Sequence, residues 1–347
     1  MDLSERKLKI LHAIIHDFVL SAEPVGSRTI SKKYDLGISS ATIRNEMADL
    51  EELGYIEQPH TSAGRVPSDK AYRLYVDSLM NKYILSKEQK TFISQKIEDH
   101  MNELDSILQR ASTILSDLTH LTSFGLTPKN DENKLKYIRL IPIENHIVLL
   151  MIVTETGKVN NTILRIDTDY SVENLEVLSK VLTYNYKGRT LSSINKMHII
   201  KNFEEDIEIM SKLMKDVMPN FMSTLERMLN VSLYMDGLSN IFTMPEYSNI
   251  EKAKEFMELL NKKEQFTEML SNRESGIIVT IGRENEDDQL RDCSLITATY
   301  SINGEVIGKL GVIGPTRMKY DKITSIMEYL ANNISRAYAI EDSQVKK

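Results

Sequence analysis

The order of the elements predicted for the first 82 residues constrains the fold more than any other feature of this sequence. Apolar residues recur at helical spacing, and turn residues interrupt them. The predicted elements are three helices, two short strands and a further helix, over residues 3–20, 27–34, 39–53, 55–58, 65–67 and from 68 onward. The predicted N-caps are Ser4, Ser27, Ser39 or Ser40, and Ser68. Three helices followed by a two-stranded ribbon is the order of a winged helix-turn-helix.

The third predicted helix separates a buried side from a side suited to DNA. At about 100° per residue, Ile43, Met47 and Leu50 fall on one stripe that must face the core. The opposite side carries Ala41, Asn45 and Ala48, with Thr42 and Arg44 on its flanks. Small and amide-bearing residues let a helix approach a groove closely, where Asn can read adenine and Ala or Thr can touch a thymine methyl group.

Hydroxyl and guanidinium groups at the second helix and the ribbon complete the predicted DNA contact. Such groups suit phosphate, and the ribbon can reach the backbone or the minor groove. The predicted DNA-binding residues are Ser27, Arg28, Thr29, Ser40, Ala41, Thr42, Arg44, Asn45, His60, Thr61 and Arg65. The first 82 residues hold 11 Lys and Arg against 12 Asp and Glu, so the cations must gather on one face. The pattern leaves open a winged helix that contacts protein instead.

Four stretches of the sequence resemble a known family. SSATIRNEMADLEELGYIEQPHTSAGRVPSDKAYRLYVD at 39–77 and YSINGEVIGKLGVIGPTRMKY at 300–320 closely resemble the HrcA family of heat-inducible transcription repressors. YMDGLSNIFTMPEY at 234–247 and IGREN at 281–285 resemble weaker blocks of the same family. The resemblance covers essentially the whole chain.

The resemblance implies a bacterial repressor of chaperone operons. It implies binding to double-stranded DNA at an inverted-repeat operator as a homodimer, with the active form maintained by the GroE chaperonin. It also implies a GAF-like domain that carries an inserted dimerisation domain.

The remainder of the chain predicts an α+β body. A capping box at Ser86 and Gln89 opens a long helix to about Thr122, which either packs on its own domain as a linker or forms a dimer contact. Strands are predicted at 137–142, 146–154, 159–166, 231–235, 276–281, 294–300 and 305–312, and helices over most of 171–230, 249–270 and 320–339. Asn303-Gly304 predicts a hairpin turn.

The predicted domains follow from these elements and from the resemblance. They are a winged helix-turn-helix at 1–82, a linking helix at 83–122, a GAF-like domain at 123–170 and 240–347, and an inserted, mostly helical dimerisation domain at 171–239. The homodimer contact is expected after residue 84, outside the DNA-binding domain.

The composition of the chain indicates the cellular compartment in which the protein is expected. The net charge is -7, and the single cysteine, Cys293, cannot form an intramolecular disulfide, which fits a reducing cytosol. The longest apolar run, Ile147–Val153, is far shorter than the ~20 residues that span a bilayer. No export signal is visible. We therefore expect a cytoplasmic protein with no membrane partner, and the Met-rich middle of the chain favours low stability.

No residue pattern favours a metal or a cofactor. His12 and His16 stand four residues apart, but no third ligand follows at suitable spacing. Gly308, Gly311 and Gly314 lie in strand and turn, without the dinucleotide-binding spacing.

No residue pattern favours catalysis either. Cys293 is interpreted as a buried structural thiol, and Glu51 with Glu52 as a solvated face. We expect a protein that is not an enzyme. Two other classes stay open: a ligand sensor or enzyme built on the GAF-like domain, and a chaperone-dependent interaction module without DNA specificity.

Overall fold

The computed structural model describes residues 3–59, 64–98, 104–127, 133–155, 159–196, 208–302 and 305–345. These residues form helices and three antiparallel sheets, so the chain is a mixed α+β protein. Within them, no helix is both long enough and apolar enough to cross a membrane.

The N-terminal domain has the predicted order of elements. They are α1 (Glu5–Ser21), α2 (Ser27–Lys33), α3 (Ser40–Glu52), β1 (Ile56–Glu57), β2 (Val66–Pro67) and α4 (Asp69–Leu74), which continues as a π-helical turn at Tyr75–Leu79. Side chains of Ser4, Ser39 and Ser68 cap α1, α3 and α4, as predicted. The prediction for α2 is wrong: Ser27 is its first helical residue, and the N-cap is Gly26, which has no side chain to bond.

The predicted single helix from Ser86 to Thr122 is two helices followed by a strand. They are α5 (Lys87–Glu98), α6 (Leu104–Thr119) and β3 (Thr122–Leu126). The capping box is confirmed, because Ser86 N donates to Gln89 Oε1 (2.9 Å) and Gln89 N donates to Ser86 Oγ (3.2 Å). Residues 99–103 lie outside the described part. The chain leaves α6 at His120, whose φ is +57°.

A second group of elements forms a separate small sheet with helices. They are β4 (Leu135–Glu144), β5 (Ile147–Thr154), β6 (Val159–Arg165), α7 (Val172–Tyr186), α8 (Leu191–Lys196) and α9 (Glu208–Leu229). The strands pair in the order β4-β5-β6. One face of the sheet buries Ile138, Leu150 and Leu164, which join one apolar cluster with Leu178 of α7 and Phe221 of α9.

The last elements complete a five-stranded sheet around β3. They are β7 (Leu233–Asp236), α10 (Ile250–Asn261), α11 (Lys263–Ser271), β8 (Ile277–Ile281), β9 (Cys293–Ile302), β10 (Glu305–Pro315) and α12 (Tyr320–Val345). The strand order is β7-β3-β10-β9-β8. The predicted helix 249–270 is broken at Lys262, whose ψ is +61°. β9 and β10 pair as predicted, and the Asn303-Gly304 turn between them lies outside the described residues.

The chain divides into two compact units, residues 1–128 with 232–347, and residues 129–231. The predicted boundaries differ from these, because the strands at 137–166 were assigned to the GAF-like domain and the insertion to 171–239. In the structure β4, β5 and β6 hydrogen-bond to one another and belong to the 129–231 unit. Alternating apolar residues predict a strand, but they do not say which strand is its partner.

Candidate nucleic-acid interface

Helix α3 exposes one side of its first turns and buries the other. Ser39 Oγ accepts a hydrogen bond from Thr42 N (3.1 Å), which fixes the start of the helix. Ile43, Met47 and Leu50 are at most 5% exposed, so the predicted core stripe is confirmed. The exposed residues on the other side are Ala41, Arg44, Asn45 and Ala48.

The hydroxyl of Thr42 already has a partner within its own helix start. Thr42 Oγ1 lies 3.0 Å from Ser39 Oγ, and the side chain is half-buried, as is Ser40. A base contact by Thr42 would therefore use its methyl group, which suits thymine.

A buried carboxylate holds α2 on α1. Asp17 is 5% exposed, and both of its oxygens lie 3.0 Å from Lys33 Nζ. Tyr34 donates to Asp17 Oδ1 (3.3 Å) and lies 2.9 Å from His16 Nδ1. Burial, reinforced by the Asp17 charge, raises the pKa of Tyr34 to about 12, so its hydroxyl stays protonated. These contacts fix the helix that carries Arg28, which is exposed.

Ion pairs engage three of the four acids of α3, so these carboxylates compete less with a nucleic acid. Lys7 Nζ lies 2.9 Å from both Glu46 Oε2 and Asp49 Oδ2, and these hydrogen bonds raise the pKa of Lys7. Neither Arg28 nor Arg44 has a hydrogen bond or an ion pair to any residue that the structure describes. The sequence did not point to Lys7, because pairing between distant helices leaves no local pattern. Arg28 and Arg44 are therefore unpaired cations within the part of the domain that the structure describes.

The ribbon is tied to the segment before α2. Val25 and Arg65 exchange two backbone hydrogen bonds (2.8 and 2.9 Å). A Cβ at Gly64 would lie 2.6 Å from the Val25 carbonyl carbon, so only glycine allows this approach. The ribbon therefore starts at a fixed position relative to α2.

Glu51 is not on a solvated face, as the sequence predicted, but is paired with Arg65. The Nε and Nη2 atoms of Arg65 lie 2.9 and 2.8 Å from Glu51 Oε2, so Glu51 is an ion-pair partner and not part of a solvated face. Arg65 still belongs to the predicted DNA-binding set, but with two of its donors engaged. His60 and Thr61 of the same set lie outside the described residues.

The two histidines of α1 have separate partners. His12 packs its ring against Tyr75, with centroids 5.8 Å apart, while His16 contacts Tyr34. Among the described residues, no group of three or more His, Cys, Asp or Glu is placed to hold a metal ion.

Comparison with known proteins finds relatives along nearly the whole chain. A family model described as the HrcA protein C-terminal domain matches residues 105–324. The heat-inducible transcription repressor HrcA of Ruminiclostridium cellulolyticum is 42% identical, covering 97% of each chain. That of Alkaliphilus metalliredigens is 43% identical, covering 94% of this chain and 95% of its own. A crystal structure described as a hypothetical protein matches with a TM-score of 0.65 at 26% identity, covering 97% of this chain and 98% of its own.

The names of these relatives give both a class of protein and a family within it. The relatives are transcription repressors, a class of gene regulators. The chain belongs to the HrcA family of heat-inducible transcription repressors.

Proposed function

We propose that this chain represses chaperone genes by binding an inverted-repeat operator as a homodimer, through a winged helix-turn-helix at its N-terminus. The observation that carries the proposal is the solvent-exposed start of α3, where Ala41, Arg44 and Asn45 stand opposite a buried stripe. A recognition helix reads bases mainly with its N-terminal residues. The acids Glu46, Asp49 and Glu51 are held by Lys7 and Arg65.

The remaining residues of the proposed contact act on the DNA backbone. Arg28 and Arg44 supply guanidinium groups that no described residue pairs, and Ser27 and Thr29 flank Arg28. Phosphate contacts of this kind position a protein on the duplex, whereas base contacts supply specificity. Arg65 contributes through the donors that Glu51 does not occupy, together with His60 and Thr61 of the ribbon.

The operator test compares two duplexes with the same composition. The full chain is expected to shift an inverted-repeat duplex from a chaperonin-gene promoter at lower protein concentration than a scrambled duplex. Binding to both should weaken as salt rises, because phosphate contacts release counterions. Equal affinity for the two duplexes would contradict sequence-specific repression.

The proposed dimer forms through the unit at 129–231. The outer face of its sheet exposes Ile141, Val159 and Ile163, which are 41%, 53% and 66% accessible. Ile141 and Ile163 both lie beside Leu149 in the strand register, so these three apolar side chains form one patch. Exposed contiguous apolar surface is typical of an interaction site. Two copies would match the two-fold symmetry of an inverted repeat.

The dimer proposal is tested by introducing charged residues into this apolar patch. Ile141→Asp with Ile163→Asp should give a folded monomer in sedimentation, because both side chains are already exposed in the single chain. The matched control is Val177→Asp, an exposed valine on α7 of the same unit, which should stay dimeric. A double variant that sediments as a dimer would place the contact elsewhere.

The five-stranded sheet with its helices is proposed to be the GAF-like domain that carries this unit as an insertion. Maintenance of the active form by the GroE chaperonin, and a cytoplasmic location, rest on the family alone. The dependence on chaperonin is tested by measuring operator binding after a mild heat step with and without chaperonin. Recovery only with chaperonin supports the proposal.

A further inference from the structure

Three of the four stretches that resemble the HrcA family lie outside the proposed DNA contact. Residues 234–247, 281–285 and 300–320 belong to the domain of the five-stranded sheet. In the structure, Glu284 and Tyr320 contact α4 of the N-terminal domain and Arg317 contacts α1, within one compact unit. Glu246 of the 234–247 stretch pairs with Arg317.

The first contact joins α4 to the segment after β8. Arg73 Nε donates to Glu284 Oε1 (2.8 Å) and its Nη2 donates to Glu284 Oε2 (2.5 Å), a bidentate pair. The same Nη2 donates to the Val279 carbonyl (2.6 Å). Asp69 Oδ2 accepts from Arg283 N (3.0 Å), beside Gly282, where a Cβ would lie 2.1 Å from that carboxylate oxygen.

The second contact joins α1 to the turn before α12. Arg317 Nη1 donates to the carbonyl of Val19, near the C-terminal end of α1 (2.8 Å). Its Nε and Nη2 donate to the two oxygens of Glu246 (2.5 and 3.1 Å). Glu246 therefore orients Arg317, and Arg317 holds the end of α1.

A buried aromatic pair lies between these two contacts. The rings of Tyr72 and Tyr320 have centroids 5.7 Å apart, and both side chains are at most 1% exposed. Tyr320 OH has partners in Ser294 Oγ and the Thr316 carbonyl. The Tyr72 hydroxyl has no partner among the described residues. Burying a hydroxyl without a hydrogen bond costs free energy, so this part of the interface is less stable than the packing of the two rings alone would make it.

We propose that Arg73–Glu284 and Arg317–Glu246 form an interdomain latch, which fixes the recognition helix α3 relative to the rest of the protein and so sets the operator spacing that a dimer accepts. Domains in one chain move relative to each other unless their interface prevents it. Bidentate guanidinium pairs restrict orientation as well as distance. The latch restricts motion between the N-terminal domain and the domain of the five-stranded sheet. It thereby removes one source of flexibility between the two recognition helices of a dimer. This inference rests on the proposed operator binding.

The test compares Arg73→Met, which breaks the pair with Glu284, with a variant of a nearby arginine outside that pair. Arg283→Met is the matched control, because Arg283 is exposed and contacts Asp69 only through its backbone. Full-length variants are titrated against duplexes with both half-sites, with one half-site, and with the spacer changed by one or two base pairs. Melting curves check the fold, and Glu284→Gln is a second, nearly isosteric way to open the same pair.

A latch predicts a specific pattern of changes. Arg73→Met and Glu284→Gln should weaken binding to the full operator about tenfold or more, because a looser link lowers the effective concentration of the second half-site contact. Binding to one half-site should stay within about twofold, and altered spacers should be discriminated less. Arg283→Met should behave as wild type, and Tyr72→Phe should keep the wild-type spacing preference. Equal losses on full and single sites, or unchanged spacing preference, would overturn the proposal.

A readout without DNA separates failure of the latch from failure of the proposed function. Amide hydrogen exchange at residues 66–80 and 277–285 should accelerate in Arg73→Met and not in Arg283→Met. If wild type binds no operator, faster exchange still supports the latch as an interdomain contact, while unchanged exchange overturns it.

Discussion

Asn45 is exposed on α3, next to the exposed Arg44 and above the buried Ile43. Asn45→Ala should cost about 1–3 kcal/mol on the operator and much less on random duplex, because an amide that reads adenine contributes only at its own base pair. Helix stability should be unaffected, since alanine is a good helix former. Titration of both duplexes checks this, with Glu52→Ala at the far end of α3 as the control. Equal losses on the two duplexes would make Asn45 a structural or phosphate-binding residue.

The sequence predicts that Arg28 and Arg65 both bind phosphates, but the structure gives the two side chains different surroundings. Arg28 has no described partner, so Arg28→Ala should lower affinity for specific and random DNA alike and reduce the salt slope by about one unit. Arg65→Ala also leaves Glu51 without its partner, so it should lower the melting temperature as well. The slope is read from affinities at several salt concentrations. An unchanged slope in Arg28→Ala would remove that charge from the interface.

At the scale of the element, Lys309 of β10 stabilises the end of a helix. It is 7% exposed, and its ammonium donates to the carbonyls of Leu270 (3.0 Å), Ser271 (3.1 Å) and Arg273, at and just beyond the end of α11. A cation there satisfies carbonyls that the helix leaves unpaired and complements the helix dipole.

Lys309→Met keeps the length of the side chain and removes the donors. The free energy of unfolding should fall by roughly 2 kcal/mol, since hydrogen bonds to a charged group are lost and the carbonyls stay buried. Denaturant titration measures the change, with the exposed Lys180→Met as the control. A loss below 0.5 kcal/mol in the free energy of unfolding, an order-of-magnitude limit typical of surface changes, would mean that water replaces the ammonium.

The elements were largely predictable, and their partners were not. Local signals located the caps at Ser39 and Ser68 and the buried stripe of α3, because these depend on residues within one or two turns. The strand β3 was missed, since its apolar residues continue the helical pattern of α6. The pairs Lys7–Glu46 and Arg65–Glu51 each join residues far apart in sequence, and no local pattern encodes them. The same limit explains why the compact unit at 129–231 begins earlier than the predicted insertion at 171–239.

At the scale of the whole molecule, one thiol can report on the stability of the repressor. Cys293 is the only cysteine, is 3% exposed, and lies 3.4 Å from Tyr247 OH. Burial raises the pKa of its thiol from 9.0 to about 11, so the thiol is protonated and unreactive in the folded protein at neutral pH. Stability contributed by this shift is present below about pH 9 and is lost as pH rises through about 11.

Alkylation of Cys293 should therefore follow unfolding. We expect slow labelling at 25 °C and a steep rise over the temperature range in which operator binding is lost, because repression is proposed to fail through loss of the fold. Labelling and mobility shifts on the same heated samples check the correspondence. Loss of binding without labelling would point to a ligand or a local change in the N-terminal domain.

Thr127 and Ser232, the residues of the five-stranded domain that flank residues 128–231, lie side by side. Thr127 N donates to the Ser232 carbonyl (3.0 Å), Ser232 N donates to Thr127 Oγ1 (2.8 Å), and β3 and β7 continue this pairing. Two strand ends so close need only a two-residue Asn-Gly turn to join them. Replacing residues 128–231 by such a turn should give a folded monomer that still binds one half-site, as sedimentation and mobility shifts can check. If this unit forms the dimer as proposed, a different oligomerisation domain placed between Thr127 and Ser232 would change how many operator half-sites one repressor engages, without altering the proposed DNA-binding surface.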